Sequence, residues 1–190
     1  MRKQTIIDIL QMLLYSIAGI PHVLSYLYCS KRIPEINEDL RRRTNMKACV
    51  NTFFKAIKEK DYRIVYYYRI PLIHRLFLNF ILPVNPDCKI LCPKHACGGG
   101  CVVHHGWGTI VLVHSIGNNF DVYQNVTIGY NRDGKPTIGN NVKIYSGAVV
   151  AGNITIGDNV KIAANSVVLQ DVPENSLVYG NPAIIKRYEQ

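Results

Sequence analysis

The chain has 190 residues, 48% of them hydrophobic, and a formal charge of +9. This length supports a domain with a real core, and the composition excludes a disordered chain or a disulfide-held miniprotein. The charge is lopsided: residues 1–95 hold 16 Lys and Arg against 7 Asp and Glu, whereas residues 96–190 hold 6 against 6.

In chain order, residues 5–29 are the most apolar stretch and follow Arg2-Lys3. Asp8, Gln11, Pro21 and His22 interrupt that stretch, and no small-residue cleavage site follows, which argues against a signal peptide. It is also a marginal membrane span. Two short helices broken at Gly19-Ile20-Pro21 are expected, packed on a partner subunit or a bilayer surface. Residues 37–60 read as a charged amphipathic helix. Its Arg41-Arg42-Arg43 run with Lys47 suits phosphates or an anionic membrane surface, or simply forms a solvated face. Residues 61–82 are rich in Tyr, Arg and Leu, with Pro71 limiting helix continuity. Pro83, Asn85 and Pro86 then close an α-helical N-terminal region, 1–85.

Beyond it a different period takes over. From Ile138 an aliphatic residue recurs every sixth position: Ile138, Ile144, Val150, Ile156, Ile162 and Val168. Four places after each comes a second small or aliphatic residue: Val142, Ala148, Ile154, Val160, Ser166 and Val172. Neither a helix nor a flat strand generates that pattern. A parallel β-helix does, because each hexapeptide forms one side of a triangular coil and tight corners collect Gly, Asn and Asp. The expected fold is therefore mainly β, a left-handed parallel β-helix over residues 86–178, with a C-terminal tail at 179–190. Continued backwards, the register makes Ile128, Val122, Ile116 and Ile110 inward, with Val126 and Phe120 as companions. Leu91, Cys97 and Val103 follow, with His95 and Cys101 four places on.

Two breaks interrupt the period. One extra residue falls within His104–Thr109, and four extra residues push Tyr130–Pro136, with Arg132, Asp133, Gly134 and Lys135, out as a loop. Breaks in a strict repeat are where function is grafted. Cys88, Cys92, Cys97 and Cys101 are spaced C-x3-C-x4-C-x3-C, unlike the paired C-x2-C of zinc sites, so no metal is expected. A reducing cytoplasmic setting is expected instead, at or near the inner face of the membrane given the basic front half. No nucleic-acid partner is expected.

The segments CVVHHGWGTIV, NVTIGYNRDGKPTIGNNVKIYSGAVVAGNITIGDNVKIAANSVV and DVPENSLVYGNPAIIKR resemble the serine acetyltransferase family of hexapeptide acyltransferases, over roughly the last hundred residues. The helical front is similar only around YYYRIPLIHRLF. The resemblance implies an acetyl-CoA-dependent O-acetyltransferase with His105 as general base. It implies acceptor contacts from His104 and Lys135, and coenzyme contacts near Gly129, Tyr130, Ser146 and Ala164, with Lys186 and Arg187 drawing the phosphates. It further implies a homotrimer, or a dimer of trimers. Trp107 and Tyr130 would offer aromatic faces to a sugar ring.

Two positions depart from the family pattern. The carboxylate that orients the base is replaced by Ile90, and the aspartate before the base is replaced by His104. The second change points towards a sugar hydroxyl of a surface polysaccharide precursor as acceptor, with serine as the alternative. A zinc hydratase on the same coil would need three converging histidines, and no histidine occurs after His114. A non-catalytic trimerisation module is the third reading.

Overall fold

The computed structural model describes residues 2–84, 87–132 and 134–188, with side chains from Tyr15 onward. Asn85, Pro86 and Asp133 lie outside the described residues. The chain divides into two compact units, residues 1–84 and 85–190.

The first unit is helical. α1 (Arg2–Cys29) runs 28 residues without a break and contains Pro21, where two shorter helices were expected. Gly19 is a packing position and not a terminator: an added Cβ would meet Phe54 Cε2 at 2.5 Å. Beside the amide that proline lacks, buried His22 places Nδ1 2.8 Å from the Ala18 carbonyl and Nε2 2.7 Å from the Tyr67 hydroxyl. Packing thus holds the helix through a residue that would stop it in isolation. The single helix expected over 37–60 is instead two, α2 (Glu35–Thr44) and α3 (Val50–Ala56), because Asn45 turns left-handed at φ 53° and ends α2. α4 (Lys60–Arg69) and α5 (Leu72–Ile81) are separated at Pro71.

The core of this unit is aromatic. Phe53 stacks on Tyr26 with centroids 4.3 Å apart and meets the edge of Tyr66 at 5.0 Å. Two arginines are built into it. Arg69 grips Asp39 through Nε–Oδ2 at 2.9 Å and Nη2–Oδ1 at 3.2 Å, both side chains almost fully buried. Arg63 Nη1 donates to the carbonyls of Ile57 and Lys58, satisfying groups that the end of α3 leaves open. In the basic run, Arg43 is committed to Glu59 at 2.6 Å.

The second unit is a parallel coil with three walls. Wall one stacks β1 (Lys89–Leu91), β3 (Ile110–Leu112), β6 (Thr127–Gly129), β9 (Val149–Ala151) and β12 (Val167–Val168). Wall two stacks β4 (Ser115–Ile116), β7 (Thr137–Ile138) and β10 (Thr155–Ile156). Wall three stacks β2 (Val102–Val103), β5 (Asp121–Val122), β8 (Lys143–Ile144), β11 (Lys161–Ile162) and β13 (Ser176–Tyr179). β14 (Ile184–Arg187) pairs antiparallel with β13, so part of the expected tail is a strand.

Equivalent corners are 18 residues apart, as between Asn140 and Asp158, and 22 across the extruded loop, as between Asn119 and Asn141. From Ile116 onward the expected inward residues are buried. Earlier the phase differs. Val111, not Ile110, points inward, because Val111 pairs with Ile128 while Ile110 pairs with Thr127 and is 39% exposed. The cause is Thr109: it is buried in the corner, where its Oγ1 donates to the Tyr123 carbonyl at 3.0 Å. That takes up one residue more than the sequence register allowed. The shift carries back to β1, where Leu91 is exposed and Ile90 pairs with Val111. His95 sits exposed on a short 3-10 turn, Lys94–Ala96, not inside the coil. Cys97 and Cys101 are buried as expected.

The corner between walls two and three shows why the repeat needs asparagine. Asn119, Asn141, Asn159 and Asn175 all have φ between 55° and 61°, a region that asparagine tolerates better than most side chains. Their amides form a ladder, each donating to the next at 2.8–2.9 Å.

Candidate active site

The corner between walls three and one repeats a simple rule: the residue after each inward aliphatic of wall three turns out of the coil. This places His104, Tyr123 and Tyr145 in one column, their backbone amides donating to the carbonyls of Val122, Ile144 and Ile162. The rings stack accordingly. His104 lies 4.3 Å from Tyr123 at an interplanar angle of 12°, and Tyr123 lies 5.0 Å from Tyr145.

Beside the column sits Asp121, 5% exposed. Its Oδ1 is 3.3 Å from His104 Nε2, and its Oδ2 is 3.7 Å from Lys143 Nζ. A carboxylate removed from water needs such partners. In return it fixes the imidazole ring and favours the tautomer with the proton on Nε2, leaving Nδ1 as the acceptor atom. Burial, then Tyr145 and Asp121, push the Tyr123 phenol above its ordinary value, so it remains a neutral hydroxyl at neutral pH.

His105 follows directly, exposed and at φ 51°. A left-handed conformation at a residue other than glycine is uncommon, and held strain of this kind gathers at functional positions. Trp107, 65% exposed, begins a second column on the same corner. Asn125 N donates to Trp107 O, Gly147 N to Gln124 O and Asn165 N to Ser146 O, which aligns Trp107, Gln124, Ser146 and, one coil on, Ala164. Ala164 is exposed and Ser146 half-buried.

Five of the residues singled out in the sequence, His104, His105, Trp107, Ser146 and Ala164, therefore share one corner. Gly129, Tyr130 and Lys135 do not. They lie at the opposite end of wall one, where the extruded loop leaves β6 and is pinched by a bridge between Asn131 and Gly134. A Cβ added to Gly129 would meet nothing within 4 Å, so packing inside the chain does not require glycine there. Lys186 and Arg187 are exposed on β14, at the edge of wall three.

The sequence reading missed Asp121, Tyr123 and Tyr145. The signal was present: Tyr123 and Tyr145 each follow an inward residue by one place, as His104 follows Val103, and Asp121 sits one place before its own. Among the described residues no three His, Cys, Asp or Glu side chains gather into a metal-binding group.

Comparisons with known proteins bear on the same segment. The bacterial transferase hexapeptide family (six repeats) matches residues 135–170. A probable serine acetyltransferase 2 from Oryza sativa subsp. japonica is 33% identical over 181 residues, covering 80% of this chain and 49% of its own. The serine acetyltransferase of Staphylococcus aureus (strain Mu50) is 41% identical over 125 residues, covering 63% of this chain and 54% of its own. This chain carries the bacterial transferase hexapeptide repeat and is similar to serine acetyltransferases. Its second unit is accordingly a left-handed parallel β-helix.

Solved members of the family align with most of this chain. The Neisseria gonorrhoeae serine acetyltransferase in complex with serine matches with a TM-score of 0.63 and 27% identity, over 87% of this chain and 72% of that one. A serine acetyltransferase in complex with CoA matches with a TM-score of 0.58 and 26% identity, over 92% and 83%. The chain spans about half the length of the curated relatives that it matches.

Proposed function

We propose that the β-helical unit transfers an acetyl group from acetyl-CoA to a hydroxyl acceptor. The observation that carries this reading is the corner holding His105, in its left-handed turn, beside the Asp121–His104 pair and the Trp107–Ser146–Ala164 column. Relatives named as serine acetyltransferases, and a CoA complex among them, support the donor.

In the proposed step the acceptor oxygen attacks the thioester carbon while the His105 imidazole takes the hydroxyl proton. The tetrahedral oxyanion collapses with cleavage of the C–S bond, and the imidazolium returns its proton to the departing thiolate. The products are an O-acetyl ester and free CoA thiol. An alcohol is too weak an acid to ionise alone near neutral pH, which is why a base is needed. Trp107, Ser146 and Ala164 would line the pantetheine arm. Gly129, where extra volume meets only open space, would let that arm lie close to the backbone. Lys186 and Arg187 would face the coenzyme phosphates.

Because Gly129, Tyr130 and Lys135 lie at the far end of wall one, they would complete such a site only when a neighbouring subunit presents its own loop to the His105 corner. A homotrimer, in which each corner meets the loop of the next subunit, would build such a site at every interface.

For the acceptor, the relatives favour serine over the sugar expected from the sequence, since they are named for serine and one is complexed with it. One feature keeps the sugar reading in view. His104 presents an imidazole where an amino-group contact needs a carboxylate, and the nearest carboxylate, Asp121, is already engaged by His104 and Lys143. The Tyr123 and Tyr145 rings beside it suit the face of a pyranose.

Thiol release from acetyl-CoA by the full chain, with L-serine or with a panel of hexoses and N-acetylhexosamines, tests both statements. Turnover with serine alone supports the serine acceptor, and turnover with sugars alone reverses that choice. No acceptor-dependent release in any arm contradicts acetyl transfer.

A further inference from the structure

The helical unit carries an apolar face that its own core does not use. On α1, Ile17 and Leu24 are 69% and 62% exposed, and Ile20, Leu27 and Tyr28 are exposed with them. At ~100° per residue these five fall within an arc of about 100°. On α5, Ile73, Leu76, Phe77 and Phe80 are 60–89% exposed, again on one side of the helix. The two faces join at a pocket of about 440 Å³ between the helices, whose lining includes Pro21, Leu24, Ile73 and Phe77. Its floor carries His74, with Nδ1 3.1 Å from Ser25 Oγ. Isolated apolar side chains on a surface need no explanation, but a continuous face of this size does.

Charge decides what covers it. Residues 1–84 hold 14 Lys and Arg against 6 Asp and Glu, a net +8 of the chain's +9. Cations stand at the border of the apolar face. Arg32 lies 3.9 Å over the Tyr28 ring, which itself stacks on His74, and Lys31 is exposed beside it at the end of α1. Two copies meeting on this face would each bring a net charge of +8, whereas an anionic surface attracts that excess. No helix among the described residues is long and apolar enough to cross a membrane, so the contact is with a surface and not a span.

We propose that the α1–α5 face docks on an anionic lipid bilayer, with Leu24, Ile73, Leu76, Phe77 and Phe80 entering the headgroup–acyl boundary. The basic rim meets lipid phosphates, and an acyl chain enters the pocket between the helices. Apolar burial and headgroup charge contribute separately, each basic residue near such a surface adding roughly fivefold to partitioning. This proposal is independent of the acetyl-transfer reading, since it concerns the other unit and is read without substrate.

The test is flotation of the full chain with vesicles of phosphatidylcholine alone or of phosphatidylcholine with 30–40% phosphatidylglycerol (about the anionic content that gives a strongly negative surface). Binding to the anionic vesicles is expected, with at least a tenfold loss on Leu76→Ser/Phe80→Ser and a similar loss on Lys31→Gln/Arg32→Gln. All four positions are exposed, so the variants should keep the wild-type melting temperature. No binding to anionic vesicles overturns the proposal. Binding that the serine pair leaves unchanged also overturns it, because charge alone would then suffice. So does a wild-type oligomer that the serine pair dissociates in light scattering while vesicles are ignored, since the face would then be a contact between copies.

Discussion

The two units of this chain solve the same problem, burying enough apolar surface, by opposite means. The β-helix uses one rule many times: an aliphatic residue every sixth place, stacked on its equivalent one coil away, with asparagine ladders closing the corners. The helical unit uses no rule twice. Phe53, Tyr62 and Tyr66 interlock at specific angles, Asp39 and Arg69 pair in the interior, and Arg63 closes the end of α3. In a repeat, each rung's loss is shared with its neighbours, whereas in a unique core a single partner has no substitute.

Asp39→Ala should therefore affect the two units most unequally. It removes the carboxylate that Arg69 grips in the interior and should cost about 3–5 kcal/mol, enough to unfold the helical unit, as read by chemical denaturation followed by far-UV circular dichroism. Ile144→Ala, in the middle of wall three, should cost about 2–5 kcal/mol through a cavity. Its expected signature is a lowered midpoint for the β-helix with the helical signal retained. Breaking one rung of the corner ladder with Asn141→Ala should cost only about 1 kcal/mol, seen as a small fall in melting temperature, since it removes hydrogen bonds at an exposed edge.

The smallest effect is pH-dependent and belongs to the helical unit alone. Burial of His22 holds its imidazole below the ordinary value of 6.5. The unfolded chain then binds the extra proton first, so stability is full above about pH 6.5 and falls as pH drops towards the depressed folded value. Urea midpoints measured between pH 7.5 and 5.5 should decline in the wild type and flatten in His22→Gln (a window of about one unit on either side of the imidazole's usual titration).

The same contrast explains what could be read from sequence. The coil was legible because its period is written in residue types, and Ile138 to Val168 needed no tertiary information. The phase slipped at Ile110 and Leu91 because Thr109 entered the corner, a packing choice that spacing does not record. The unbroken α1 was illegible for a related reason: Pro21 signals a break, and only the contacts of His22 and Gly19 overrule it. At the candidate site, His104, His105 and Trp107 stood out as an interruption of the repeat. Asp121 did not, because its partnership with His104 spans 17 residues and is visible only when successive coils are stacked.

Acetyl transfer at the His105 corner is the property on which the proposed site stands or falls. The most direct measurement is thiol release from acetyl-CoA by the wild type and by His105→Ala, with the best acceptor from the panel and matched circular dichroism spectra. Loss of general-base help should lower the acceptor-dependent rate ~10²–10⁴-fold in a protein that stays folded. A folded His105→Ala protein that turns over at the wild-type rate would contradict it.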